Sequence, residues 1–212
     1  MLKSIFFSYL FFITALAFAQ TPFDPEAESD FVKATYSKGS LPTILTQDLI
    51  YPQSAAINGT EGNVVYILKI DESGKLASVQ LKVRVSEALS TQSDKKISEL
   101  TGAWTPTKVH GKPVDREYLL VFSYQINYNS LPMDYHTVAK KFEDKGKIDK
   151  AVKTYDQAIE KNPFEPNFYA MRAKYKKQLG NEKGAESDKL MALKMKMEVL
   201  AIVEIGQTQS LR

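Results

Sequence analysis

Trp104-Thr105-Pro106, then Gly111-Lys112-Pro113-Val114, then Tyr118-Leu119-Leu120-Val121-Phe122-Ser123-Tyr124-Gln125-Ile126 follow one another closely in the sequence. They read as the end of a helix, a tight turn and a strand, because proline lacks an N–H donor and holds the residue before it in extended geometry. In the last run Tyr118, Leu120, Phe122, Tyr124 and Ile126 share one strand face, and Leu119, Val121, Ser123 and Gln125 the other. No catalytic group is expected in this stretch.

Upstream, Tyr51-Pro52 opens a short helix toward Ile57, and Asn58-Gly59 with Gly62 ends it. Asn63 to Ile70 is rich in β-branched and aromatic residues and reads as a strand. Asp71 to Lys75 is a hairpin turn with Gly74 available for a positive φ. The next strand is expected to place Val79, Leu81, Val83 and Val85 on one face and Gln80, Lys82 and Arg84 on the other, so that one face of the sheet is buried. A helix is predicted between Ser93 and Ala103, capped by Ser93 or Asp94, with Ile97, Leu100 and Trp104 on one stripe. The fold class is therefore α+β: residues 51–127 form a small three-stranded antiparallel sheet with one or two helices, followed by an all-α helical-repeat domain over residues 132–205.

The repeat shows as identities at an offset of 34 residues: Tyr135 with Tyr169, Ala139 with Ala173, Gly146 with Gly180, Ala151 with Ala185, and Ala158 with Ala192. Alanines at close helix contacts and glycine at the turn describe a helix-turn-helix unit used twice. The second copy departs from the first, with Lys176 in place of Phe142 and Lys189 in place of Tyr155. From Leu190 to Ile205 no breaker occurs, and a continuous helix with two apolar stripes is expected, capping the array and touching the sheet domain or a second copy.

At the other end, Lys3, the apolar run Ile5 to Leu16 and Ala17-Phe18-Ala19 form a signal peptide over residues 1–19, with Gln20 following the cleavage site. The alternative is an inner-membrane anchor made by residues 4–19. Residues 20–50, with Pro22, Pro25, Gly39 and Pro42 among acidic side chains, read as a linker. A net charge of +3 with both signs mixed does not point to nucleic acid. No cysteine and only His110 and His136 leave no disulfide, no lipid-bearing cysteine and little basis for a metal or other cofactor. Paired acids in an apolar setting, a nucleophile beside a base and a glycine-rich phosphate loop are all missing from the pattern, so no enzyme is expected.

Taken together, Tyr51-Pro52, Gly62-Asn63-Val64-Val65, Ile70-Asp71 with Ser73-Gly74-Lys75, and the Trp104, Gly111 and closing-strand segments resemble the C-terminal domain of the TonB family over residues 51–126. The 34-residue period, with Pro163 and Pro166 between units, resembles tetratricopeptide repeats. The first resemblance implies a periplasmic protein engaging outer-membrane TonB-dependent transporters or other envelope proteins, whose extended segment adds to the sheet edge. The closing strand would be that edge, with Leu119, Val121, Ser123 and Gln125 as partner contacts, while Leu120 and Phe122 are core. The second resemblance implies an inner surface lined by the first helix of each unit. His136, Lys140, Lys174 and Lys177 would lie on it free of packing duties, and the three lysines would make it mildly basic and suited to an acidic peptide or the C-terminus of a partner protein. A force-transmitting member needs a lasting anchor and a stiff proline-rich spacer, and the short mixed linker here departs from that. A second reading is therefore a scaffold whose repeats recruit partners while the TonB-like domain docks or forms a homodimer.

Overall fold

Two long strands with apolar side chains on both faces form the centre of the molecule, a computed structural model that describes residues 30–100, 102–128 and 132–209. The signal segment and the start of the stretch read as a linker lie outside the described residues. In sequence order the elements begin with β1 (Phe31–Val32), β2 (Thr35–Tyr36), α1 (Leu41–Thr46), α2 (Gln53–Ile57), β3 (Gly62–Ile70), β4 (Leu76–Val83) and α3 (Glu87–Ser98). The short strands β5 (Trp104–Thr105), β6 (Thr107–Val109) and β7 (Lys112–Val114) lead into the long β8 (Arg116–Tyr128). Four helices follow, α4 (Tyr135–Glu143), α5 (Ile148–Lys161), α6 (Pro166–Gln178) and α7 (Glu182–Glu198), and β9 (Val199–Gln209) comes last. The class is α+β.

The main sheet has the order β4-β3-β8-β9, antiparallel at the first two junctions and parallel at the third. The expected three antiparallel strands are present, and the fourth comes from the far end of the sequence. Parallel neighbours need a crossover connection, and here α4 to α7 supply it. In place of the continuous helix expected through Ile205, α7 stops at Glu198 and Val199 begins a strand. Ala201, Val203 and Ile205 alternate into the first core, while Val199, across a register shift, joins the second; this period of two fits the free side of β8, and β-branched residues favour the pleated surface.

Both faces of the sheet are covered, not one. On the first, Val64, Tyr66, Leu68, Ile70, Tyr118, Leu120, Phe122 and Tyr124 meet Leu89 of α3, Leu41 and Leu45 of α1, Trp104, and Ala201 and Val203 of β9. On the second, Val65, Ile67, Leu119 and Val121 pack with Tyr169 of α6 and Met195 of α7. The strand β4 does not keep Leu81 and Val83 on one face: Val65 pairs with Val83 and Tyr66 with Leu81, so Lys82 is bulged out and the two apolar residues join opposite cores.

Three further expectations are corrected. The stretch read as a linker is ordered from Asp30: β1 pairs with β6, β2 pairs with β5, and Ala34, Tyr36, Leu41 and Leu45 are buried. Tyr36 lies against Trp104 at 4.8 Å between ring centroids. The helix expected from Ser93 starts earlier, at Glu87, where the Ser86 side chain accepts the Leu89 N–H as an N-cap. Ser93 is then inside the helix and bonds Tyr124 OH at 3.0 Å. Trp104 consequently lies outside the helix, in β5, with 4% exposure.

The 34-residue offset maps onto two antiparallel helix pairs, α4–α5 and α6–α7. Ala139, Ala151, Ala158, Ala173 and Ala185 are all buried, which lets backbones approach closely. Gly146 and Gly180 occupy the equivalent turns with φ of 66° and 75°, a conformation that costs glycine nothing.

Candidate protein-binding site

The strand expected to be a free edge is an interior strand. On one side β8 pairs with β3 from Arg116 to Tyr124, and on the other with β9 over ten positions, from Leu119 opposite Val199 to Tyr128 opposite Gln209. Its N–H and C=O groups on that second side are engaged by the protein's own tail, so no guest segment can add there while β9 is in place. Leu119, Val121 and Ser123 are buried, and Gln125 is half-buried and donates to the Ser123 hydroxyl at 3.2 Å. Leu120 and Phe122 are fully buried in the first core.

The tail is held at its start. The Lys33 ammonium donates to the Val199 carbonyl at 2.7 Å, satisfying a carbonyl that the end of α7 would otherwise leave open. Burial, with Lys196 nearby, lowers the Lys33 pKa. Burial likewise raises that of Glu198, against the opposing pull of Lys194 and Arg116.

The second set of expected contact residues lies on α4 and α6. The structure brings Lys140 and Lys174 together, but around a carboxylate. Glu143 accepts from Lys174 at 2.8 Å and from Tyr175 OH at 3.2 Å, and Lys140 stands 3.4 Å from it while bonding Asp144 at 2.6 Å. The Lys174 hydrogen bond above all, with Gln178, Tyr175 and Lys140, pulls the Glu143 pKa down to about 2. His136 is exposed and meets Tyr155 OH through Nδ1 at 3.2 Å, and Lys177 is exposed one turn beyond Lys174. The surface is therefore a mixed network in which Glu143 offsets two of the lysines.

Sequence reasoning missed two charged joints. In the second helix pair Arg172 stands where the first has Val138, and Asp188 where it has Thr154. Arg172 donates to Asp188 through Nε and Nη2, at 2.8 and 2.7 Å, and through Nη1 to Asp156 of α5 at 2.9 Å, while Lys176 adds a 2.8 Å contact to Asp188. Burial alone would raise the Asp188 pKa, and the two cations hold it below the usual carboxylate range. The matched change at two positions one period apart from an apolar and a hydroxyl residue was the available signal. The other joint ties the helices to the sheet: Lys161 of α5 forms an ion pair with Glu61, Asn63 donates to the Lys161 carbonyl at 3.1 Å, and Glu61 accepts the Ile126 N–H at 3.1 Å.

A sheet of this order, with the Tyr51-Pro52 helix, the Gly74 turn against Trp104 and the long closing strand, can now be set beside known families. Residues 47–126 match the family model described as Gram-negative bacterial TonB protein C-terminal. The TonB C-terminal-like domain thus comprises α2, β3, β4, α3 and the short strands up to most of β8, less than half of the sequence. Such domains belong to envelope-associated protein-interaction modules. No curated protein and no solved structure matches the protein. Among the described residues no helix is long and apolar enough to cross a membrane.

Proposed function

We propose that this protein is a non-enzymatic adaptor of the periplasm, exported by its N-terminal segment, in which tetratricopeptide-like helices α4 to α7 recruit a protein partner. The TonB C-terminal-like sheet, completed by its own tail, is the rigid base on which those helices stand. The observation that carries this reading is the ten-position parallel ladder between β8 and β9, which fills the edge a transporter segment would otherwise take. An outer-membrane transporter or another envelope protein is then met by the exposed faces of α4 and α6, through His136, Lys140, Lys174 and Lys177. Because Glu143 offsets Lys140 and Lys174, acidic character in the partner contributes most beside Lys177.

Site-specific photo-crosslinking in cells tests this. Crosslinking residues introduced one at a time at His136, Lys177, Gln80 of β4 and Gln125 of β8 report which face meets the partner. Capture from His136 and Lys177 with none from Gln125 is expected. Capture of a transporter from Gln125 alone would overturn the proposal and return the contact to β8.

A further inference from the structure

The Arg172–Asp156 bond marks Asp156 as an exposed position of α5 at the border of the following helix pair. Moved on by the 34-residue period, Asp156 becomes Leu190, Gln157 becomes Met191, Lys153 becomes Ser187 and Glu160 becomes Lys194. Leu190, the counterpart of Asp156, borders the place a third helix pair would occupy, but the backbone turns into β9 instead. On α5 the matching exposed positions hold Asp156 and Gln157, the polar residues that solvent selects. On α7, where nothing among the described residues adjoins, they hold Leu190 and Met191, 43% and 38% exposed and lining one shallow, mainly apolar depression.

The charges on that depression select the occupant. Glu186 and Lys194 stand four residues to either side of Leu190, about 6 Å each way along the helix axis. We infer that α7 pairs antiparallel with α7 of a second copy about a twofold axis at Leu190. Each Glu186 then faces Lys194 of the other copy, and the pair occurs twice because an isologous interface repeats every contact. A parallel pairing in register would set Glu186 against Glu186 and Lys194 against Lys194. Ser187 is small enough to let the helices approach, and Lys183 lies at the rim. The existing Glu186–Lys189 pair, 3.1 Å and exposed on both sides, is weak enough to be shared. An apolar centre of two leucines and two methionines is small for a stable interface, so the dimer dissociates on the order of 10 μM. The inference is independent of which partner α4 and α6 bind.

Sedimentation velocity on the full exported protein across that concentration range is expected to show a monomer–dimer equilibrium. Lys194→Glu weakens it roughly tenfold or more, because each like-charge contact is made twice. The double variant Glu186→Lys with Lys194→Glu restores it. The protein has no cysteine, so Leu190→Cys gives a disulfide-linked dimer on mild oxidation, whereas Lys153→Cys on α5 does not. Thermal melts of each variant exclude misfolding as the cause. A wild-type protein that stays monomeric throughout, a double variant as weak as the single one, or equal crosslinking from both cysteines would each overturn the inference.

Discussion

Replacing Val203 by alanine asks whether β9 is part of the fold or a strap laid over it. Val203 is fully buried, lies opposite Phe122 in the parallel ladder, and sits in the first core with Leu120 and Leu45. The change removes two buried methyl groups, worth about 1.6 kcal/mol at ~0.8 kcal/mol each, and the cavity left behind brings the total to about 2–3 kcal/mol. For a folded unit of this size each kcal/mol moves the melting temperature by about 2–4 °C, so a drop of about 4–12 °C is expected by calorimetry. Glu204→Ala on the same strand, where the side chain is exposed, changes stability by less than about 0.5 kcal/mol and serves as the control. Hydrogen exchange gives the second readout: amides of Leu120 to Gln125 are protected in the wild type and open with the global unfolding event. If β9 were a removable strap on an otherwise complete domain, Val203→Ala would loosen only the strap. A melting temperature within about 1–2 °C of wild type, together with β8 amides exchanging well below the global free energy, would refute the argument that the tail completes the sheet.

Three other outcomes follow from the charged and backbone details. Arg172→Val leaves Asp188 buried with only Lys176 beside it and is expected to cost about 3–5 kcal/mol in urea denaturation; adding Asp188→Thr recreates the Val138 and Thr154 arrangement of the first pair and recovers most of it. Glu143 has its pKa depressed from 4.5 to about 2, first by Lys174, so its contribution is fully present above about 4.5 and is lost as pH falls from there toward 2. Acid titration of the helical signal by circular dichroism falls in that window, and Glu143→Gln flattens it. Gly74 has φ of +80° and a Cβ there would lie 2.1 Å from the Trp104 carbonyl oxygen, so Gly74→Ala is expected to cost about 2 kcal/mol or more, read as a lower melting temperature.

The parts of this fold that could be read from sequence are those whose cause is local. Strands β3 and β8 follow from runs of β-branched and aromatic residues, the Gly74 turn from its own dipeptide geometry, and the two helix pairs from alanines and glycines repeated at a fixed offset. What escaped reading has a distant cause. Val199 to Ile205 satisfies helical spacing and strand alternation equally well, and the free hydrogen-bonding side of β8 decides between them. Strands of two residues such as β1 and β2 carry no periodicity, and their order comes from pairing with β5 and β6 and from Tyr36 against Trp104. The lysines of α4 and α6 were visible as a basic face, but their neutralisation by Glu143 exists only once the two helices lie side by side. Arg172 and Asp188 each look like a loss of packing alone and become a buried pair only together.

Where a partner can approach then follows from the two ends of the sheet. At one end β4 carries the Lys82 bulge with Lys75 and Arg84 nearby, and bulges and charged side chains are how sheet edges are kept from pairing with other proteins. At the other end the outer side of β9 is flanked by Pro42, Thr43 and Thr46 of α1 on one side and Glu165 on the other. A guest strand that sought β8 itself would compete with a segment covalently delivered by α7, whose effective concentration is in the millimolar range for short connections. It would also have to repay the burial of Val199, Ala201, Val203 and Ile205. A free peptide binding at micromolar strength cannot meet both demands, so the tail converts an edge suited to exchange into a permanent joint, which is why the proposed contact lies on the exposed helices.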